Sequence, residues 1–401
     1  MSRHEVVEVE IERVVAGGLG LGHEGSGRVV LAAGALPGER VAVELERSRK
    51  RFAQGHTVSV LSPSPERIDA PCPEVAAGCG GCDQQHAPAA LQRELKVGIV
   101  VDSLAHLAKL PDLPVHPGEQ LSVDGYRTTL RCAVVDGRAG FRRRRSNRIH
   151  VVESCWIAHP AVREIVEHGR FPGATEVIIR VGARTGERLV VVSPSASDVV
   201  VPDGVQVVGA DDLAAGADVH LHEMVARRRF RVSAGSFFQA RPDGAEALVR
   251  AVGRALGDFD PASQRLVDLY GGVGLFTLAL GARHSVLVER SPSSCADARV
   301  NLAPLDAVVE ELAVERWRPT AAEAVIADPA RAGLGAEGVE QVVATGAARV
   351  ALVSCDPASL ARDTRSLVDA GYEALGVELV DMFPQTHHVE AVTTLVRSDA
   401  R

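Results

Sequence analysis

The chain has 401 residues, 46% of them hydrophobic and 24% charged, which is enough for two or three domains that each bury a core and excludes a disulfide miniprotein or a disordered chain. No run approaches the roughly 20 uninterrupted apolar residues of a membrane span, and no apolar signal region follows Met1-Ser2-Arg3-His4-Glu5, so a soluble protein of the reducing cytoplasm is expected. The formal charge of −8 conceals three basic clusters: Arg47, Arg49, Lys50 and Arg51; Arg142 to Arg145 with Arg148; and Arg227 to Arg229 with Arg231. With three lysines in all, this charge is nearly all guanidinium, suited to bidentate phosphate contacts, and it points to a nucleic-acid surface.

Residues 5 to 61 alternate β-rich runs (Val6 to Val15, Gly27 to Ala32, Glu39 to Glu46, Gly55 to Leu61) with Gly-rich turns, the spacing of a small all-β barrel. Ser62-Pro63-Ser64-Pro65 reads as a linker. A cysteine-rich loop follows, then a helix opened by Pro88, with Leu91, Leu95, Ile99 and Leu107 at helical spacing, ended by Pro111, Pro114 and Pro117. From about Ser122 to Val232 short strands dominate. Beyond Ser233 four apolar strands (Arg265 to Tyr270, Ser285 to Glu289, Ala324 to Asp328, Val350 to Asp356) alternate with helical patterns, the signature of a doubly wound α/β domain. The expected division is 1–62, 63–232 and 233–401.

Three constellations carry chemistry. The strand ending Asp268-Leu269-Tyr270 runs through Gly271-Gly272-Val273-Gly274 into a helix, and Glu289 ends the next strand 21 residues after Asp268, placed to accept hydrogen bonds from ribose hydroxyls. Thr277 stands where a nicotinamide fingerprint wants a third glycine, so the pattern is that of S-adenosylmethionine enzymes rather than dehydrogenases. Asp328-Pro329-Ala330-Arg331 and Ser354-Cys355-Asp356-Pro357 end two further strands at the edge where open α/β sheets bind ligands, and Asp381-Met382-Phe383-Pro384-Gln385-Thr386-His387-His388-Val389-Glu390 adds a carboxylate and two imidazoles. An isolated strand-end cysteine is usually core; beside an acid, an arginine and a cofactor turn, Cys355 reads as a nucleophile. Finally, Cys72-x6-Cys79-x2-Cys82, with Cys155 as a distant fourth thiol, suits an iron-sulfur cluster or a structural zinc, and spacing alone leaves both open. Cys132 and Cys295 are assigned to packing.

On these residues the chain resembles, over essentially its whole length, the RNA uracil-5-methyltransferase family, enzymes that make 5-methyluridine in tRNA or 23S ribosomal RNA. The resemblance rests most on Ser354-Cys355-Asp356-Pro357-Ala358 and Phe383 to Glu390, and also on Gly235-Ser236-Phe237-Phe238-Gln239. It implies a fold of three parts: an N-terminal RNA-binding TRAM barrel (OB-like), a central β-rich iron-sulfur domain and a C-terminal Rossmann-like class I methyltransferase domain. It also implies Cys72, Cys79, Cys82 and Cys155 as [4Fe-4S] ligands, Gln239, Tyr270, Glu289 and Asp328 around S-adenosylmethionine, Cys355 as the thiolate that adds to C6 of uracil, and Glu390 as the base that removes the C5 proton. The expected partner is RNA, with 23S rRNA favoured over tRNA by the barrel, without a membrane and with the protein a monomer. The sequence departs from the family at Gly271 (usually cysteine), Leu275 (usually an asparagine that contacts the cofactor), Ala330 (often proline) and Asp356 (often asparagine). The rival reading is a catalytically silent iron-sulfur RNA-binding or ribosome-assembly protein, which has no need of Cys355 and Glu390 together.

Overall fold

The computed structural model describes residues 5–398; Met1 to His4, on which the absence of an export signal partly rests, lie outside the described residues. The N-terminal strands Val6–Val15, Leu19–His23, Val29–Ala33, Phe52–Ser62 and Arg40–Ser48 close, in that spatial order, into a barrel around Val9, Ile11, Val30, Val41, Val43 and Ala53. The second strand begins inside the glycine run Gly17-Gly18-Leu19-Gly20, which by itself reads as a turn. Its glycines are there for space: a Cβ on Gly22 would lie 2.1 Å from the Glu10 carbonyl oxygen and one on Gly20 2.9 Å from Ile11, beside a bulge in the first strand.

A central six-stranded sheet runs in the order Val205–Gly209, Arg188–Ser193, Glu176–Val181, Thr129–Val135, Arg138–Arg142, Ile149–Val151. One face packs Leu130, Cys132, Val177, Ile179 and Val190 against the helix Pro160–His168 and the cysteine loop. The other carries Leu189, Val191 and Val208 into a core shared with the hairpin His220–Val225/Arg228–Ser233 and the helix Pro242–Leu256.

The C-terminal sheet has eight strands, in the order Asp306–Glu311, His284–Glu289, Arg265–Leu269, Ala324–Ala327, Arg349–Ser354, Ala391–Arg397, Tyr372–Leu379, Val115–His116. The first five are parallel; Ala391–Arg397 is antiparallel to both neighbours. The edge strand Val115–His116 comes from the segment expected to belong to the central unit. The helix Ala89–Ser103 and the π-turn Leu104–Ala108 before it pack Ile99, Val100, Leu104 and Ala108 onto Leu360, Val377, Leu379 and Val389. Residues 89–116 thus share a core with the last third of the chain. No helix among the described residues is long and apolar enough to cross a membrane.

Candidate active site

Parallel strands bring their C-terminal ends to one edge, where Tyr270, Glu289, Asp328 and Cys355 stand; Glu390 comes just before the antiparallel strand Ala391–Arg397, and Gln239 just before the helix Pro242–Leu256. The register does more. The antiparallel ladder between Arg349–Ser354 and Ala391–Arg397 pairs Val353 with Val392 and ends on Ser354 with Ala391, so Cys355 and Glu390 flank its last rung, close enough for the Glu390 charge to act on the thiol. Asp356 fixes the turn after Cys355, because its Oδ1 accepts the N–H groups of Ala358 (3.0 Å) and Ser359 (2.8 Å) and caps the helix Pro357–Asp369.

The site is electrostatically crowded. Asp328 follows the neighbouring strand and faces both Cys355 and Glu390. Burial first, then Asp328, hold the Glu390 carboxyl well above its usual range, and burial with the Asp268 charge raises Asp328. Burial, Glu390 and Asp328 push the Cys355 thiol up to about 11 against the weaker pull of Arg331. The resting site is therefore a thiol beside acids that keep protons unusually late.

The cofactor turn is backbone-built. Tyr270 and Gly272 lie in the left-handed region at φ 61° and 56°, and Gly274 at φ 89° starts the helix Leu275–Leu280. Glu289 clasps the turn, its carboxylate accepting the N–H of Gly272 (3.1 Å) and of Ser291 (2.7 Å). Asp268 lies behind it, fully buried, accepting from the Thr277 hydroxyl at 2.7 Å, with its pKa raised to about 6 by burial. Nothing stands within 4 Å of where a Gly272 side chain would project, and the buried Tyr270 hydroxyl has no hydrogen-bond partner among the described residues. An open backbone cradle, an unpaired phenol and a carboxylate fit a nucleoside cofactor.

The four cysteines also converge. Glu74, just after Cys72, accepts the N–H groups of Glu153 (2.8 Å) and Ser154 (3.0 Å) and holds His150 at 2.5 Å, which draws Cys155 to the early loop. Gly80 donates to the Arg142 carbonyl at 3.0 Å, and a Cβ there would meet that oxygen at 2.5 Å. All four thiols are free and buried, and burial raises Cys79, Cys82 (to about 12) and Cys155 (to about 11). N–H donors already reach two of them, from Gly81 to Cys79 at 3.4 Å and from Ile157 and Ala158 to Cys155. Four unpaired thiols with N–H donors suit an iron-sulfur cluster. Among the described residues no group of three or more Cys, His, Asp or Glu is arranged to hold a metal ion.

One cavity of about 1000 Å³ joins these groups: Cys72, Cys79, Cys82 and Cys155 line it together with Gln239, Tyr270, Glu289, Asp328, Cys355 and Glu390. It therefore gathers the residues that the sequence assigned to the nucleophile, the base, the cofactor and the four-cysteine site. Asp328, expected among the cofactor groups, faces Cys355 and Glu390 as well. Sequence reasoning gave no role to Phe237, which is 71% exposed yet lines this cavity beside Gln239, nor to Arg127, which approaches the Phe383 ring at 5.9 Å. The signal for Phe237 was its place two residues before Gln239; for Arg127 there was none. The basic clusters divide. Arg142 to Arg145 all bond within the protein, Arg143 and Arg144 to carbonyls of the cysteine loop and Arg145 to Glu46; Arg229 and Arg231 are likewise paired with acids. Arg47, Arg49, Lys50 and Arg51 are exposed at a barrel hairpin that this Arg145–Glu46 pair (2.9 Å) ties to the cysteine side.

Comparison with known proteins agrees with this geometry. The family signature described as tRNA (Uracil-5-)-methyltransferase matches residues 309–398, and the TRAM domain signature matches residues 3–58. An uncharacterized RNA methyltransferase of Streptomyces avermitilis is 36% identical, covering 98% of both chains. The 23S rRNA (uracil(1939)-C(5))-methyltransferase RlmD of Chromohalobacter salexigens is 33% identical over 98% of this chain and 90% of its own. The chain belongs to the RNA uracil-5-methyltransferase family. It is, accordingly, an S-adenosylmethionine-dependent RNA (uracil-5-)-methyltransferase with an N-terminal TRAM barrel. Its fold follows that of the Pyrococcus abyssi tRNA (uracil-54, C5)-methyltransferase solved with S-adenosyl-L-homocysteine, at 23% identity and a TM-score of 0.74 over 97% of this chain and 100% of that one. As a uracil-5-methyltransferase it accommodates its departures locally. Leu287 fills the space a Gly271 side chain would need, with its Cγ 2.5 Å from the would-be Cβ; Leu275 is packed in the core; Asp356 caps its helix.

Proposed function

We propose that this methyltransferase acts on a uridine of 23S rRNA through a covalent adduct between Cys355 and C6 of uracil. The observation that supports the mechanism is that Cys355 and Glu390 flank the last rung of one strand ladder and line the same cavity. C5 of uracil is a poor nucleophile; addition of the Cys355 sulfur to C6 turns C5 into an enolate carbon. As the sulfur adds, the Cys355 thiol proton passes to the Asp328 carboxylate, which leaves Glu390 ionised for the later step. Gln239, Tyr270 and Glu289 would hold S-adenosylmethionine, with Asp328 aligning it against the base, and its sulfonium would give up the methyl group to C5 and leave as neutral S-adenosylhomocysteine. Glu390 then takes the C5 proton, and the electrons of that C–H bond restore the C5–C6 double bond and expel the Cys355 thiolate. A uridine in a stack cannot reach this cavity, so the base is extruded, with Phe237 offering its exposed ring as a stacking face.

Cys72, Cys79, Cys82 and Cys155 hold a [4Fe-4S] cluster in this reading, rather than zinc, supported by their number, burial and N–H donors. The barrel, the cysteine unit and the methyltransferase unit with its borrowed segment 89–116 form a cytoplasmic monomer, and the exposed basic hairpin Arg47 to Arg51 grips RNA phosphates. The barrel and the 33% identity to an rRNA enzyme favour ribosomal over transfer RNA. The test is nucleoside mass spectrometry of unmodified tRNA and 23S rRNA incubated with the protein and methyl-labelled S-adenosylmethionine. Labelled 5-methyluridine in 23S rRNA is the expected result. Label confined to tRNA would reassign the substrate, and no label in either would return the silent RNA-binding protein.

A further inference from the structure

The wall of the cavity above Cys355 and Glu390 is the loop 383–388, from which Phe383, Thr386 and His388 line the space. Its apex is strained: Gln385 is 3% exposed and left-handed at φ 72°, a conformation a non-glycine residue adopts only when its surroundings impose it. The groups that impose it come from the chain just after Cys82. The N–H groups of Asp83 (3.1 Å) and Gln84 (3.0 Å) both donate to the Gln385 carbonyl, and the Asp83 carboxylate accepts the His387 N–H at 3.0 Å and contacts its ring.

At the centre is Gln92, 1% exposed. Its Oε1 accepts the Gln385 N–H at 2.7 Å, while its Nε2 donates to the Gln385 side chain (3.0 Å) and to the carbonyls of Gln84 (3.1 Å) and Ala87 (2.8 Å). One buried amide therefore grips both the cavity wall and the segment that carries Cys82. The barrel closes on the same point, since a Cβ on Gly18 would lie 2.5 Å from His387 Cβ.

We propose that Gln92 is a positioning residue, the bolt through which the cysteine loop holds the Gln385 turn in register over Cys355 and Glu390, so that loss of the group bound by the cysteines loosens the catalytic wall. The coupling half rests on the iron-sulfur reading above; the Gln92 half does not. A displacement of this wall by about an ångström is enough to cost on the order of 10- to 100-fold in rate.

The experiment uses the full chain purified without oxygen, with iron and acid-labile sulfide assayed first. Gln92→Met is expected to slow single-turnover methyl transfer about 10- to 100-fold, to raise amide exchange in 383–390, and to leave iron content and S-adenosylhomocysteine affinity unchanged. Gln92→Glu keeps the acceptor for the Gln385 N–H and is expected to recover part of the rate. Chelating the iron from the unaltered protein is expected to raise exchange in 383–390 to the level of Gln92→Met. A wild-type rate in Gln92→Met, or loss of rate and iron together, overturns the positioning role. Unchanged exchange in 383–390 after iron removal overturns the coupling. Protein isolated without iron or sulfide sinks the cluster reading and the coupling with it, while the rate comparison still decides Gln92. Should Gln92→Met fail to fold, Gln385→Val, which opposes the left-handed turn, must lose more rate than Gln385→Gly, which accepts it; equal rates overturn the proposal.

Discussion

The two ends of the cavity are built on different physical principles. At the catalytic end the backbone hydrogen bonds of a sheet set the geometry: Ser354 pairs with Ala391, which leaves Cys355 and Glu390 side by side at the end of the ladder. At the cysteine end, four thiols come from two separated loops, joined by single side-chain bonds such as those of Glu74 to Glu153 and Ser154. A sheet register is cooperative and indifferent to a ligand, whereas a loop-built site of buried donors depends on what it binds. The contrast also separates position from ionisation. The sheet puts the acids in place, but burial and mutual repulsion decide when they lose their protons.

The sharpest way to break this comparison is at the sheet end. Cys355→Ala is expected to lower methyl transfer at least about 10⁴-fold, with thermal stability and S-adenosylhomocysteine affinity unchanged. A drop in melting temperature of several degrees would show that the pair is not held by register alone. Glu390→Gln is expected to trap the RNA adduct, seen as a band shifted on a denaturing gel, and an unshifted band counts against Glu390 as the base. At the loop end the reverse pattern is expected: Cys155→Ser should lose bound iron and several kcal/mol of stability together, followed by calorimetry and iron assay. Retention of full stability would make that end as ligand-independent as the sheet.

The acids sharpen the contrast through pH. Asp268 has a folded pKa of about 6, above its unfolded value, so the folded state binds the extra proton and stability falls as pH rises from about 4 towards 6, by roughly 3 kcal/mol. Asp268→Asn, which keeps an acceptor for Thr277, is expected to flatten that loss in urea melts at pH 4 and pH 8; parallel curves would remove burial as the cause. The smallest effect belongs to the barrel hairpin. Each of Arg47→Ala and Arg49→Ala is expected to reduce the salt dependence of RNA binding by up to about one unit of slope, measured by filter binding at several ionic strengths, while the internally bonded Arg144 is expected to act through the cysteine loop instead.

Much of the catalytic end was legible in the sequence because parallel strands are nearly continuous apolar runs, and residues after them share an edge whatever the loops do. The strand Ala391–Arg397 and its register were not legible, since its pairing partner lies before a helix and an entire strand. Leu19–His23 was hidden because glycine, read locally, signals a turn, and only the neighbouring Glu10 carbonyl explains it. The basic clusters were overread for the same reason. Charge is visible in the sequence, but whether a guanidinium faces water or a buried carbonyl is decided by residues far away, as with Arg144 and Cys82 (2.6 Å).

The pairing of Val115 with Val377 has a consequence for biosynthesis. The ribosome releases the edge strand and the helix Ala89–Ser103 long before the strands they cover exist, so their apolar faces wait through most of translation for a partner. The same arrangement means that a fragment cut at the expected boundary near residue 233 would emerge with Leu360, Val377, Leu379 and Val389 uncovered. A dissection that respects how the chain is folded would have to carry residues 89–116 along with the catalytic domain.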